Sequence, residues 1–443
     1  MGGLARNTCD VLVIGGGPAG STIGALLAEK GWNVVLLEKD QHPRFHIGES
    51  LLPMNLPILE RLGVLEAVHE IGMIKHAAEF VSDTYDGRLQ SFRFKDALGQ
   101  RNSYAFEVRR SEFDHLLLKN CAAKGVVVHE GLRVRDVEFV PGGPSVVTAM
   151  DRENIPSQWE ARFVVDASGR DTLLAQRLGW KKKNKKHNSA AIFGHFRNVI
   201  RRPGEDEGNI TIHWFQHGWF WMIPLRDGTM SVGAVCWPDY LKTRDCPLEE
   251  FLWQTIRLSP GVYERMRDAE LDGVARATGN YSYRSERLHR EGCLLIGDAG
   301  AFIDPVFSSG VYLAMNSACL GAEAVDASLR DPASENRLMR DYERTIRRGL
   351  ATFSWFIYRF TSPVMHRMFM NPTRKWQLQQ AVISVLAGDI FAKTPLRRPL
   401  LIFKVIYYTY SLTNLRHVWS AYRNRSKGMR QKFAQETIMQ EGD

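Results

Sequence analysis

The sequence predicts an α/β protein: a discontinuous Rossmann-like domain with an inserted antiparallel β-sheet and a C-terminal helical region. Three observations predict it. A glycine-rich turn lies between two short apolar runs near the N-terminus, residues from about 187 to 280 alternate in strand fashion, and a further apolar run far downstream ends in Gly297-Asp298.

Residues 10–14 (Asp-Val-Leu-Val-Ile) are nearly all apolar and read as a buried parallel strand. Residues 19–30 carry the small and apolar side chains of a helix packed closely on a sheet, with Gly31 as its stop. A second apolar run, 34–37, ends at Glu38. Strand, turn, helix, strand and acid fit within about 30 residues, the dimensions of a βαβ unit. Downstream, 113–124 reads as helix, 126–129 as strand, and 163–165 as a buried strand running into Asp166-Ala167-Ser168-Gly169. Residues 293–296 are again a buried strand, and a helix follows over about 310–329.

The domains predicted from this are four. Residues 1–185 open the nucleotide fold, with interleaved segments of the sheet domain, and 186–285 form the antiparallel sheet that would carry substrate. Residues 286–334 close the nucleotide fold, and 335–443 are helical. Segments of the last region, such as 355–358 and 400–408, are very apolar but punctuated by arginine and lysine. They read either as a helical cap on the enzyme or as a docking surface for a carrier protein or a membrane.

Composition narrows the classes. The chain has 443 residues, 44% hydrophobic and 24% charged, which suits a soluble enzyme with a large core. A net charge of +9 favours anionic partners: a phosphate-bearing cofactor, an acidic carrier or a membrane surface. Nucleic acid is not expected. The basic run Lys181-Lys182-Lys183 with Lys185-Lys186 lacks interleaved aromatics and reads as a solvated loop. The six cysteines (Cys9, Cys121, Cys236, Cys246, Cys293, Cys319) form no C-x-x-C pair, so no metal site or disulfide scaffold is expected, and a reducing cytoplasm is. No apolar leader precedes the first strand, and no run of about 18 apolar residues predicts a transmembrane helix.

Gly15-Gly16-Gly17-Pro18-Ala19-Gly20 satisfies G-x-G-x-x-G. The first glycine permits the tight turn, the second lets the backbone approach a pyrophosphate, and the third allows close contact of helix and strand. Amides at the helix start then bind the anion, and Glu38 can accept from ribose hydroxyls. Further motifs choose among dinucleotides. Val108-Arg109-Arg110-Ser111-Glu112-Phe113-Asp114 resembles the V-x-R-x-x-F-D segment of flavoprotein hydroxylases. Asp166-Ala167-Ser168-Gly169 resembles their D-x-x-G segment, and Leu295-Ile296-Gly297-Asp298-Ala299-Gly300 their G-D motif. The resemblance implies FAD, held by Gly15, Gly17, Ala19, Gly20, Glu38, Arg44, Arg110, Asp298 and Gly310, with Arg110 near the flavin and Asp298 on its ribityl chain.

Two more segments narrow the family. Trp219-Phe220-Trp221-Met222-Ile223-Pro224 reads W-x-W-x-I-P, and Phe302 to Gly310 reads F-x-x-P-x-x-S-x-G. Both resemble the signatures of flavin-dependent halogenases, as does Phe45-His46-Ile47-Gly48-Glu49-Ser50-Leu51-Leu52-Pro53. The resemblance spans about residues 8–390 and looks closer to halogenases of phenols and pyrroles, often carrier-tethered, than to the tryptophan halogenases. It implies that FADH2, oxygen and a halide ion give hypohalous acid, which halogenates an electron-rich aromatic, free or bound to an acyl carrier protein. A separate flavin reductase would supply FADH2, since there is no second G-x-G-x-x-G for a nicotinamide domain. The amides of Ser309 and Gly310 would hold the halide. Trp219 and Trp221, with Pro305 and Ser308, would wall the substrate off from the flavin, although two tryptophans on one strand face are ordinarily core. Lys75, in Met73-Ile74-Lys75-His76, would hold the hypohalous acid by hydrogen bond or as a chloramine, although a lone lysine is ordinarily a solvated surface residue.

The pattern departs at Tyr312, where many relatives have histidine, and it offers no assignable catalytic glutamate. The rival readings are a monooxygenase or reductase of the same fold, of the aromatic hydroxylase or isoprenoid reductase type, and a non-catalytic flavin-binding protein. The tryptophan pair separates the first two, because a hydroxylase needs no such barrier.

Overall fold

The computed structural model describes residues 6–99, 102–184, 189–279, 282–391 and 394–415, with 419 and 423. The strand Arg6–Ile14 lies at the centre of the nucleotide sheet, paired in parallel with Val34–Glu38 on one side and Pro156–Asp166 on the other. Val127–Glu130 and Cys293–Leu295 extend the parallel order outward. Val11, Leu12 and Val13 are wholly buried, because side chains on both faces of this strand are covered. One face takes the helices Pro18–Glu29, Arg110–Ala123 and Ser309–Arg330. The other takes the apolar side of the hairpin Arg133–Glu138 and Ser145–Met150. The strand expected over 163–165 is longer than its apolar run, because Pro156–Ala161 pairs with that hairpin on one edge.

The second sheet has seven strands, in the order Glu270–Gly279, Ala190–Arg197, Met230–Cys236, Gly218–Pro224, Ile210–Phe215, Ala77–Ser82, Arg88–Arg93. It is not wholly antiparallel: Ile210–Phe215 runs parallel to Ala77–Ser82, a strand contributed from far upstream. Every residue of Gly218–Pro224 and Met230–Cys236 is buried. One side of the sheet faces the main core, and the other packs on Phe251, Leu252 and Ile256 of the helix Leu248–Arg257.

Of the C-terminal helices, Glu335–Ile357 packs along Ser309–Arg330, Pro363–Met370 packs on Ala77–Ser82 and Arg88–Arg93 of this sheet, and Leu378–Leu386 and Arg397–Thr413 pack against each other behind it. Phe360 stacks on Trp214 at 4.6 Å between ring centres, and Phe369 meets Phe80 edge-on at 5.1 Å. The basic run is not a loop at its start. Lys181–Lys183 is a short strand paired with Tyr283–Ser285, and the Lys181 ammonium sits 4.5 Å from the centre of the Tyr283 ring. Lys185 and Lys186 fall outside the described residues. All six cysteines are free. Among the described residues no helix is long and apolar enough to cross a membrane.

Candidate active site

A cavity of about 360 Å³ lies between the two sheets. Its lining includes Gly15 and Gly17, then Arg44, Arg110 and Asp298, and also Trp219, Trp221 and Pro305.

The glycine turn is dictated by contact. Gly15 has φ +103°, and a Cβ there would lie 2.6 Å from the Ala167 carbonyl oxygen. A Cβ on Gly20 would fall 1.8 Å from the Gly15 carbonyl oxygen, so the helix Pro18–Glu29 can press against the strand end only with glycine. Gly20 therefore acts by packing and does not line the cavity, whereas Gly17 and Ala19 do. Nothing lies closer to a Gly17 Cβ than Arg44 Nη2 at 3.8 Å, which leaves room for a pyrophosphate. Glu38 lines the cavity and also holds the turn. Its Oε2 accepts from the Gly16 amide at 2.6 Å and its Oε1 from the Asp40 amide at 2.8 Å.

Arg110 is spent on structure more than on the cavity it borders. Its guanidinium forks onto Asp114 at 2.7 and 3.0 Å and donates to the Ile47 carbonyl at 2.8 Å, fastening the 45–50 loop to its helix. Arg44 lies 3.6 Å from both Asp40 and Asp114, and its buried Nε has no hydrogen-bond partner. Such a donor is costly unless a ligand accepts from it. Asp298 occupies the turn Gly297–Ala299, and burial pushes its carboxyl up to about 6, against the pull of Arg170 and Arg110. An open glycine turn, an unsatisfied arginine nitrogen and a carboxyl on one cavity fit FAD.

Asp304 accepts from the Val306 amide at 3.0 Å and starts the turn Pro305–Phe307. Ser308 closes the turn in the left-handed region, φ 53°, and the helix Ser309–Arg330 begins. Pro305, Ser308 and Gly310 line the cavity; Ser309, at the helix start, is buried and does not. Trp219 and Trp221, two residues apart, share the cavity face, with ring centres 6.1 Å apart. Trp221 Nε1 donates to Ser231 Oγ at 3.1 Å, and its ring occupies space that Gly233 leaves free, where a Cβ would fall 2.3 Å away. Tyr312 does not line the cavity: it packs 3.1 Å from where a Gly388 Cβ would stand, and burial pushes its phenol up. Tyr312 therefore belongs to the packing behind the site.

Lys75 is 1% exposed and lies behind the cavity wall. Its strand Met73–Lys75 pairs with Ala105–Glu107, and Ser50 bridges to Glu107, so three distant segments meet. Lys75 Nζ donates to Ser50 Oγ at 2.5 Å and lies 3.5 Å from Glu107 Oε1, to which Ser50 Oγ donates at 3.2 Å. Ser50 lines the cavity. Burial pushes the Lys75 amine down, against the pull of Glu107, and pushes the Glu107 carboxyl up to about 8. Glu107 Oε2 has no partner.

Glu107, Ser50 and Glu49 were not singled out as site residues from sequence, although Glu49-Ser50 lies within the Phe45–Pro53 segment and Glu107 directly precedes the V-x-R motif. Glu49 lines the cavity and accepts from His195 Nε2 at 3.0 Å. Burial raises its carboxyl, but His195 and backbone amides outweigh this and hold it low.

The fold and these contacts define an FAD-dependent oxidoreductase. The model of the FAD binding domain matches residues 8–352. The chlorinase of 1H-pyrrole-2-carbonyl-peptidyl-carrier protein from Pseudomonas fluorescens is 30% identical over 415 residues, 88% of this chain and 91% of that protein. Among solved structures, the myxobacterial chondrochloren halogenase is 31% identical with a TM-score of 0.76, covering 96% of this chain and 98% of that one. A flavoprotein/dehydrogenase from Cytophaga hutchinsonii is 30% identical with a TM-score of 0.84, covering 92% and 100%. The chain belongs to the flavin-dependent halogenases.

Proposed function

We propose that this halogenase acts on a phenol or pyrrole presented by an acyl carrier protein, and that Lys75 delivers the halogen. The observation that carries the proposal is the position of Lys75, one hydrogen bond behind the cavity-lining Ser50. Reduced FAD, supplied by a separate flavin reductase, provides with oxygen the oxidation of halide to hypohalous acid. The Trp219 and Trp221 rings stand across the cavity and keep the organic substrate from the flavin. The amides of Ser309 and Gly310 offer the halide two donors at a helix start.

A buried amine beside a carboxyl that can take its proton is a neutral nucleophile. The Lys75 nitrogen attacks the halogen of hypohalous acid: an N–X bond forms, the O–X bond breaks and water leaves with a proton from nitrogen. The ring carbon then takes the halogen, and the ring proton returns to Nζ. Ser50 carries the hydrogen-bonded path between Nζ and the cavity, and Glu107 holds the proton in reserve. An already nucleophilic ring needs no further acid. The carrier-bound pyrrole of the Pseudomonas relative supports a tethered substrate.

The test supplies the protein with FAD, a flavin reductase, NADH, oxygen and bromide or chloride. Phenols and pyrroles are offered free and carrier-bound, and products are read by halogen isotope pattern, with Lys75→Met in parallel. Halogenated product from the wild type and none from the variant, with NADH consumption unchanged, is the expected result. A hydroxylated product, or NADPH oxidation without a reductase, would overturn the proposal.

A further inference from the structure

The C-terminal helix Arg397–Thr413 is apolar on two opposite faces. Leu400, Phe403 and Tyr407 point inward and are buried against the cap. Leu401, Val405, Tyr408 and Leu412 recur at spacings of four, three and four on the opposite side, 62%, 57%, 47% and 66% exposed. Leu415 and Trp419 continue the spacing in sequence and are also exposed, 58% and 62%. A helix anchored by one face has no need of a second apolar stripe unless something covers it.

The charge around this stripe is of one sign. Between Asp389 and Glu436 the sequence has no acidic residue but ten lysines and arginines. Without those ten, the 58 Lys and Arg fall to 48 against 49 Asp and Glu, so the net charge of +9 resides in this segment and the rest of the chain is close to neutral. Arg397, Arg398 and Lys404 flank the stripe on the helix itself. The Tyr408 hydroxyl accepts from Trp355 Nε1 at 3.2 Å and from Arg359 at 3.0 Å, so cations also rim the exposed aromatic ring.

We propose that this face of the C-terminal helix lies on an anionic lipid surface, with Leu401, Val405, Tyr408 and Leu412 immersed at the headgroup boundary. An amphipathic helix with aliphatic and aromatic residues on one side, cations beside them and no acids is the pattern that binds anionic bilayers. The helix lies along the surface, since no described helix is long and apolar enough to cross. A carrier protein would also match the charge, but a continuous stripe of large apolar side chains over three turns fits a lipid boundary better. The inference does not depend on which aromatic the enzyme halogenates.

The full chain is sedimented with vesicles of about one-third phosphatidylglycerol in phosphatidylcholine and with vesicles of phosphatidylcholine alone. Binding to the anionic vesicles at least about tenfold tighter than to the neutral ones is expected, and roughly 0.5 M salt should remove most of that difference. Leu401→Asp and Leu412→Asp, both at exposed positions, should each weaken binding to the anionic vesicles about tenfold or more, with flavin content and melting temperature unchanged. Equal binding to both vesicles, or none to either, overturns the proposal, and this readout needs only the wild type. So does a wild-type dimer that either substitution dissociates, or loss of acidic-carrier binding in the variants while vesicle binding persists.

Discussion

Glu107→Gln keeps the shape of the side chain but removes the carboxylate that faces the buried Lys75 amine at 3.5 Å. Glutamine can still accept from Ser50, so packing is preserved and the change is electrostatic. Burial lowers the Lys75 pKa in the folded chain, while Glu107 raises it; removing Glu107 lowers it further. A lysine with a depressed folded pKa contributes stability that is fully present above its unfolded value of 10.5 and lost as pH falls through the folded one. In the wild type near neutrality the folded pair keeps one proton, on oxygen or on nitrogen, and the unfolded chain keeps one on the lysine. The two balance, and this pair adds no slope. In the variant the buried amine loses the carboxylate that favours its charged form, so the folded site holds its proton less firmly than unfolded Lys75 does. Through roughly pH 6 to 8 stability then rises more steeply with pH than in the wild type, by at most about 1.4 kcal/mol per unit. Urea unfolding followed by tryptophan fluorescence across this range, on flavin-free protein of both forms, measures it. Parallel stability curves for the two forms would refute the claim that Lys75 and Glu107 form one buried titrating pair.

Three further outcomes follow from the geometry. Gly20→Ala places a methyl 1.8 Å from the Gly15 carbonyl and must open the turn, so FAD affinity measured by flavin fluorescence should fall at least about tenfold. Gly233→Ala pushes on the Trp221 ring from 2.3 Å, and should lower halogenated product per NADH consumed, with the shortfall appearing as free hypohalous acid in a trapping assay. Asp298 has a folded pKa of about 6 against 3.8, so its contribution is fully present below 3.8 and lost as pH rises to 6. Asp298→Asn should flatten that stretch of the flavin-free stability curve by up to on the order of 3 kcal/mol, and an unchanged curve would show the carboxyl to be solvated.

The parts of the molecule readable in its order of residues are those made by short-range contacts. The βαβ unit, its glycine turn and Glu38 lie within one continuous stretch, and each residue type there answers to a steric or hydrogen-bonding need of its own neighbours. Trp219 and Trp221 are two apart on one strand, so their shared face was implied before any packing was known. Residues joined across the chain were not readable in this way. Glu107 became a site residue only when Ala105–Glu107 paired with Met73–Lys75 and bridged to Ser50, and nothing local distinguishes that acid from a surface one. The strands Ala77–Ser82 and Arg88–Arg93 joined the second sheet through a parallel pairing that no hairpin turn announces. The C-terminal helix combines both cases. Its two apolar faces and its cationic excess are written in the sequence, but only docking of Phe403 and Tyr407 against Phe356 and Trp355 determined which face stayed in solvent, because equally apolar faces compete for one core.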